Sequence, residues 1–134
     1  MSLSTIKPHG KSIVDGFEWN GKVLKPFGQS IDSGWEFDGR HLKPYGRSVD
    51  KGYDWDGKRL VPHGRSIFSG YELSGNIIKP YGQSLGSGVE IRVGACVPWG
   101  KPAASGWEIT GSLPIPVIAL VAFGLVSRLV NSVH

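Results

Sequence analysis

Short alternations of apolar and polar residues recur along most of this chain. Ile31, Trp35 and Phe37 are separated by even steps, and the polar Glu36 lies between two of them. Because successive side chains of a β-strand point to opposite faces, this spacing predicts a strand with one apolar face.

The dipeptide Asp38-Gly39 interrupts this alternation. Such a pair is a strong signal for a type I′ turn, which needs positive φ at both central residues. With the pair at the centre of the turn, Trp35 opposes Leu42 across a hairpin, and both belong to the apolar face. The pattern therefore predicts an antiparallel β-hairpin that is apolar on one side.

The hairpin pattern repeats every 18 residues, and proline marks the period most strictly. The in-register prolines are Pro8, Pro26, Pro44, Pro62, Pro80, Pro98 and Pro116. Regular series of glycines accompany them. A period of this length indicates a repeat architecture. We expect six units in residues 7–114, preceded by an N-terminal lead-in of residues 1–6.

Six hairpins with one apolar face each need a closure that removes those faces from water. We expect an all-β repeat protein in which six 18-residue β-hairpin units form a solenoid or roll, or a closed antiparallel sheet. The alternative is a β-helix with one unit per coil, since 18 residues also make three hexapeptides. Lys43 stands where the hexapeptide pattern needs an aliphatic residue, which favours the hairpins.

The composition excludes several protein classes. The chain has 134 residues, 15 Lys and Arg against 11 Asp and Glu, a net charge of +4 and one cysteine, Cys96. One cysteine cannot form an internal disulfide or a cysteine-rich zinc site, and we interpret Cys96 as a buried small apolar residue. Basic and acidic residues alternate, so we expect no nucleic-acid partner. No cleavable signal peptide is evident at the N-terminus.

One acidic residue recurs in every unit. The row is Glu18, Glu36, Asp54, Glu72, Glu90 and Glu108. It could form a ladder for a metal or ligand, but we favour solvated strand positions paired with cations such as Lys11, Arg47, Arg65 and Lys101. Similar repeats give similar environments, whereas catalytic carboxylates need different ones.

An aromatic or imidazole residue lies between the proline and the glycine of each unit. These candidate ligand-binding residues are His9, Phe27, Tyr45, His63, Tyr81 and Trp99. They could stack on sugars or other flat ligands, although packing of one turn on the next is the simpler interpretation. Recurring serines follow no nucleophile motif. We therefore expect a protein that is not an enzyme, with no catalytic residues, cofactor or metal.

The C-terminal segment, residues 115–134, is apolar on all sides of a helix. Three interpretations are open: a membrane-inserting helix, an oligomerising helix, or a buried helix or strand that closes the repeats. For the first two, the contact residues would be Val117, Ile118, Leu120, Val121, Phe123, Leu125 and Leu129.

The stretch GYDWDGKRL, residues 52–60, resembles other hairpin repeats rich in glycine and aromatic residues, such as MORN repeats and choline-binding repeats. Those families repeat at other lengths, so no function is carried over. We expect a structural or assembly protein, a homo-oligomer or part of a virion, surface or membrane-associated assembly. The alternatives are a module that binds a glycan or another polymer and an oligomer that permeabilises membranes.

Overall fold

The computed structural model describes residues 4–125, which form a closed antiparallel barrel around one helix. The strands are β1 (Ser4–Pro8), β2 (Phe17–Trp19), β3 (Val23–Pro26), β4 (Trp35–Phe37), β5 (His41–Pro44), β6 (Tyr53–Trp55), β7 (Arg59–Pro62), β8 (Tyr71–Ser74), β9 (Ile77–Pro80), β10 (Val89–Arg92), β11 (Ala95–Pro98) and β12 (Trp107–Thr110). The helix, α1, spans Ile115–Ala122.

Each strand pairs with the strands before and after it in the chain, and β1 pairs with β12 to complete the ring. The predictions of an all-β hairpin repeat and of a closed sheet are confirmed. The solenoid or roll is wrong, and so is the β-helix with one unit per coil. A solenoid leaves two unpaired sheet edges, whereas joining the first strand to the last removes both.

The last hairpin is assembled from β1 and β12, which are not connected by a turn. Thr5 opposes Thr110 and Ile6 opposes Ile109, in the same register as the other hairpins. The hydroxyl of Ser4 also accepts a hydrogen bond from the Ser112 N–H at 3.0 Å. Part of the expected lead-in is thus a strand of the barrel wall.

Each complete hairpin ends in a tight turn whose register differs from the prediction. Phe37 opposes Leu42, so Gly39 and Arg40 are the central residues. Gly39 has φ of +102° and Arg40 has negative φ, a combination typical of a type II′ turn rather than I′. Asp38 precedes the turn and caps it, because its Oδ1 accepts hydrogen bonds from the Arg40 N–H at 2.9 Å and the His41 N–H at 2.8 Å.

The shift moves each pairing by two residues, so each residue within the strands keeps its predicted face. Trp35 opposes Pro44 instead of Leu42, and Glu36 opposes Lys43. The fifth hairpin, where the Asp-Gly signal is missing, turns through Val93 and Gly94 instead. All these tight turns lie at one end of the barrel, which we call the turn end.

The opposite end, the loop end, carries six connections of eight residues each: 9–16, 27–34, 45–52, 63–70, 81–88 and 99–106. In the second of them, Gly28 has φ of +79° in a turn closed by a bond from the Gln29 N–H to the Pro26 carbonyl at 3.1 Å. A 3₁₀ turn at Ile31–Ser33 follows, and the Ser30 hydroxyl caps it. Ile31 therefore lies in a partly exposed turn and not in a strand, contrary to the prediction.

The inner face of the wall contains a ring of six side chains with no solvent exposure. They repeat at 18-residue steps, one from every second strand: Ile6, Leu24, Leu42, Leu60, Ile78 and Cys96. The expected burial of Cys96 is confirmed, and burial raises the pKa of its thiol to about 12. Apolar side chains from the intervening strands pack against this ring.

Helix α1 fills the space inside the ring. Twelve strands about 4.8 Å apart give a backbone diameter of about 18 Å before tilt, too wide for wall side chains alone to fill. A helix with its side chains is about 10–12 Å across, and eight residues rise about 12 Å. That length matches strands of three to five residues. The helix is thus the core of the barrel.

The helix enters at the turn end and finishes at the loop end. Thr110, the last residue of β12, lies at the turn end, and Leu113 and Ile115 pack against the core from there. Phe123 stacks on Tyr71, at the loop end of β8, with ring centroids 4.6 Å apart. The chain therefore passes through the barrel along its interior.

A series of glycines allows the long connections to lie against the wall. In each, the glycine before a strand, such as Gly52, has extended φ and lies against the carbonyl of a ring residue, such as Leu42. A Cβ at Gly52 would overlap that carbonyl oxygen and approach the Lys43 Cα to 2.7 Å. Close approach of two backbones, rather than a left-handed conformation, requires glycine here.

We predict that Leu120→Ala lowers the free energy of unfolding by about 2–5 kcal/mol, because Leu120 is fully buried and its truncation leaves a cavity at the barrel axis. Urea unfolding measures the change. Val93→Ala at the exposed turn end is the control and should cost less than about 0.5 kcal/mol. Equal effects of the two substitutions would contradict the central position of α1.

We predict that Gly52→Ala costs about 3 kcal/mol or more, because its Cβ meets backbone that cannot move aside. Gly86→Ala is the matched control, since an added Cβ there meets only the Ser84 hydroxyl, at 3.6 Å. It should be neutral or stabilising by up to about 1 kcal/mol. The midpoints of chemical unfolding compare the two, and a tolerated Gly52→Ala would refute the close approach.

Candidate functional site

The recurring acidic residues lie on the outer face of the wall, and lysines neutralise four of them. The Glu–Lys ion pairs are Lys7–Glu108 at 2.6 Å, Lys25–Glu18 at 3.3 Å, Lys43–Glu36 at 2.7 Å and Lys79–Glu72 at 3.0 Å. Cation pairing was the favoured interpretation, but the partners differ from Lys11, Arg47, Arg65 and Lys101. The lysines directly opposite in each hairpin are closer.

These ion pairs also fasten the long connections to the wall. Glu36 accepts a hydrogen bond from the Gly46 N–H at 3.0 Å, and Lys43 donates to the Arg47 carbonyl at 2.6 Å. The Lys43 ammonium and the Gly46 N–H together hold the pKa of Glu36 below its usual value. For Glu72, the Gly82 N–H and then Lys79 lower the pKa in the same way. The acid row therefore has a structural role in these units.

Two units depart from the Glu–Lys pattern, because valine replaces the lysine. Opposite Val61, Asp54 lies 3.0 Å from Nδ1 of His63, and the His41 ring lies 3.9 Å away on the other side. In the other unit, Glu90 pairs with Arg92 at 2.9 Å. Different repeats thus present different outer surfaces.

The six candidate ligand-binding residues lie around the rim of the loop end and do not converge. Tyr81 packs edge-on against Phe68 of the preceding connection, with ring centroids 5.5 Å apart. His9 lies 3.2 Å from Glu108, as His63 does from Asp54 at 3.0 Å. Phe27, Tyr45 and Trp99 occupy the same turn position in their own units. Recognition of a ligand by this row stays a prediction.

The structure places most of the predicted membrane or oligomer contacts inside the barrel. Val117, Ile118, Leu120, Val121 and Leu125 are buried in the core, and Phe123 is partly buried against it. Leu129 lies outside the described residues. Within residues 4–125, no helix has the length and apolar character needed to cross a membrane. These side chains therefore have partners within their own chain, and contact with a membrane or subunit stays a prediction.

A cleft of about 600 Å³ opens at the loop end beside the end of the helix. Its residues are Trp35, Pro44, Arg47, Asp50, Lys51, Gly52, Tyr53, Pro62, His63, Arg65 and Leu125. The apolar and aromatic residues come from the inner wall, apart from Leu125, which follows α1, and the charged residues belong to two adjacent connections. We call this space the loop-end cleft.

A second cleft of about 750 Å³ lies between the second and third hairpins, toward the turn end. Arg40, His41, Asp54, Trp55 and Arg59 contribute to it. Its carboxylates already have partners, because Asp54 contacts His63 and Asp56 accepts bonds from the N–H groups of Lys58 and Arg59. Across residues 4–125, no three His, Cys, Asp or Glu side chains are grouped to hold a metal ion.

Sequence reasoning found His63 but missed the rest of the loop-end cleft. Arg47 and Arg65 occupy equivalent positions 18 residues apart, and Lys51 lies near them. This local excess of basic residues was a detectable signal. The aromatic floor was not detectable, because Trp35 and Tyr53 have the same spacing as ordinary core residues.

No family model matches the chain, and neither a curated protein nor a solved structure shows significant similarity to it.

We predict that the Glu36–Lys43 ion pair makes the free energy of unfolding fall at acidic pH. A carboxylate with a lowered folded pKa stabilises the fold above its unfolded pKa of about 4.3, and this contribution is lost as the pH falls through the folded value. Urea unfolding at pH 6.5 and pH 3 measures how far the free energy of unfolding falls between the two pH values. For Glu36→Gln this fall should be smaller than for the natural chain, by up to about 1 kcal/mol.

Asp15→Asn removes the same charge and controls for net charge, since no side-chain bond of Asp15 is present in residues 4–125. It should keep the acid dependence of the natural chain. An unchanged acid dependence in Glu36→Gln would contradict the role of the Glu36–Lys43 pair.

Proposed function

We propose that this chain is a non-enzymatic structural or assembly protein, a rigid barrel that self-associates through its loop end. The observation that carries the proposal is the distribution of exposed apolar side chains. Of the seven large exposed ones in residues 4–125, six lie in the loop-end connections: Val14, Phe27, Ile31, Phe68, Leu85 and Trp99. The seventh, Val93, lies at the turn end.

Four consecutive connections around the loop end each carry one of these exposed apolar side chains. Phe68, Leu85, Trp99 and Val14 come from four connections that are neighbours around the closed barrel. Phe68 is 80% exposed and Val14 is 66% exposed. Exposed apolar groups that cluster on one surface are typical of protein contact sites. We call these four residues the apolar arc.

Charge distribution supports the same surface. The connections 63–70, 81–88 and 99–106 contain no acidic residue and only two cations, Arg65 and Lys101, whereas Asp15, Asp32 and Asp50 lie in the other three, that of Val14 included. Charged residues are depleted at the centres of protein interfaces. A second copy of the chain supplies an identical apolar surface, as a two-fold contact requires.

Point substitutions are the suitable test, because deleting the C-terminal segment would also remove the core helix. We predict that the full chain is a defined oligomer without detergent, and that the double variant Phe68→Ser and Trp99→Ser is a monomer. Analytical ultracentrifugation measures both masses. Circular dichroism and urea unfolding check that the variant is still folded.

Val93→Ser is the control, since it removes a fully exposed apolar side chain from the opposite end. It should leave the oligomer intact. A monomeric natural chain, or a double variant with the natural mass, would refute assembly through the apolar arc. A virion, surface or membrane-associated setting, polymer binding and membrane permeabilisation stay predictions from the sequence.

A further inference from the structure

The loop-end cleft has an aromatic and apolar floor. The rings of Trp35 and Tyr53 lie with centroids 6.4 Å apart and planes tilted by 36°. Pro44, Pro62 and the buried Leu125 complete the apolar part of the lining. A space of about 600 Å³ with such a lining falls in the size range of small-molecule sites. The floor suits a ligand with a flat apolar body.

Trp35 has a buried donor without an acceptor. Its side chain is 4% exposed, and its indole Nε1 has no hydrogen-bond partner within the described part of the chain. An unsatisfied buried N–H is costly, and native proteins satisfy nearly all such groups. Trp35 lines the cleft but its Nε1 atom is covered, so the acceptor of a bound ligand would reach this donor after a small shift of the ring toward the cleft.

The rim of the cleft is cationic. Arg47, Lys51 and Arg65 line it, and only one acid, Asp50, lies among them. None of the three cationic side chains donates a hydrogen bond or forms an ion pair within residues 4–125, although the Arg47 backbone carbonyl accepts from Lys43. Two arginines with free guanidinium groups are suited to carboxylate, sulfonate or phosphate oxygens.

We propose that the loop-end cleft binds a small aromatic anion. The flat apolar body lies on Trp35 and Tyr53, and the anionic group is held by Arg47 and Arg65 with Lys51. The Trp35 ring shifts slightly toward the cleft, and its indole N–H donates to the ligand. The cleft is centred on connection 45–52, three units from Trp99 and hence on the opposite side of the barrel end. Arg65 and Phe68 share connection 63–70, but the rest of the cleft and the rest of the apolar arc lie in different connections.

The test uses two probes that differ by one charge. The anion 8-anilinonaphthalene-1-sulfonate and its neutral counterpart N-phenyl-1-naphthylamine are titrated into the full natural chain, with binding followed by calorimetry. The sulfonate should bind one molecule per chain, about tenfold or more tightly than the neutral probe. Equal affinities, or no saturable binding of the sulfonate, would overturn the proposal.

Variants then locate the site. Arg47→Gln with Arg65→Gln should weaken sulfonate binding about tenfold or more and leave the neutral probe unchanged, while Trp35→Phe should weaken the sulfonate more than the neutral probe. Arg40→Gln with Arg92→Gln removes the same charge from other parts of the surface and should have no effect. An equal loss in that control would show a general charge effect and refute the site.

Repeating the titration on the Phe68→Ser and Trp99→Ser variant separates this proposal from the proposed function. If that substitution leaves the sulfonate affinity unchanged, the result supports a binding site that does not depend on the apolar arc. This holds whether the natural chain is an oligomer or a monomer. Loss of binding in the variant, with its fold intact, would show that the sulfonate binds the apolar arc and would overturn the assignment to the loop-end cleft.

Discussion

The mutual burial of an apolar helix and an apolar inner wall is the interaction on which this structure depends. Neither part is stable alone in water: α1 is apolar around its whole circumference, and the wall carries an unbroken apolar lining. Twelve strands enclose more volume than their own side chains can fill, so the helix prevents a large internal void. The helix in turn needs a surrounding surface, which only a closed wall provides.

Closure of the wall depends on one pairing between distant parts of the chain. β1 and β12 pair as a hairpin without a connecting turn, and their register equals that of the five continuous hairpins. Because the sheet then has no free edge, every strand has a partner on both sides. The chain passes directly from β12 into the barrel interior, so the wall and the helix that fills it are adjacent in sequence.

The outer surface shows how a repeat protein can carry local differences. In most units the acidic residue and the lysine hold a long connection against the wall. Both side chains then have their partners within the repeat. Where Val61 and Val97 replace the lysine, the acid takes a histidine or an arginine as partner. The loop-end cleft and the apolar arc likewise lie mainly in different units and share only connection 63–70, although the backbone of all six is nearly the same.

The sequence by itself determined the period, the hairpin of each unit and the face of each strand residue. These follow from local rules: alternation of side chains along a strand and glycine where φ must be positive. The turn centre was predicted one residue too early, because Asp38 acts as a cap and Gly39 as the first turn residue, a distinction that residue type does not reveal.

Only the tertiary structure decided that the sheet closes on itself, and that the apolar segment lies inside it. Local periodicity is the same for an open and a closed sheet, and an apolar helix is equally compatible with lipid, a subunit or a barrel interior. The pairing of β1 with β12, more than a hundred residues apart, selects among them.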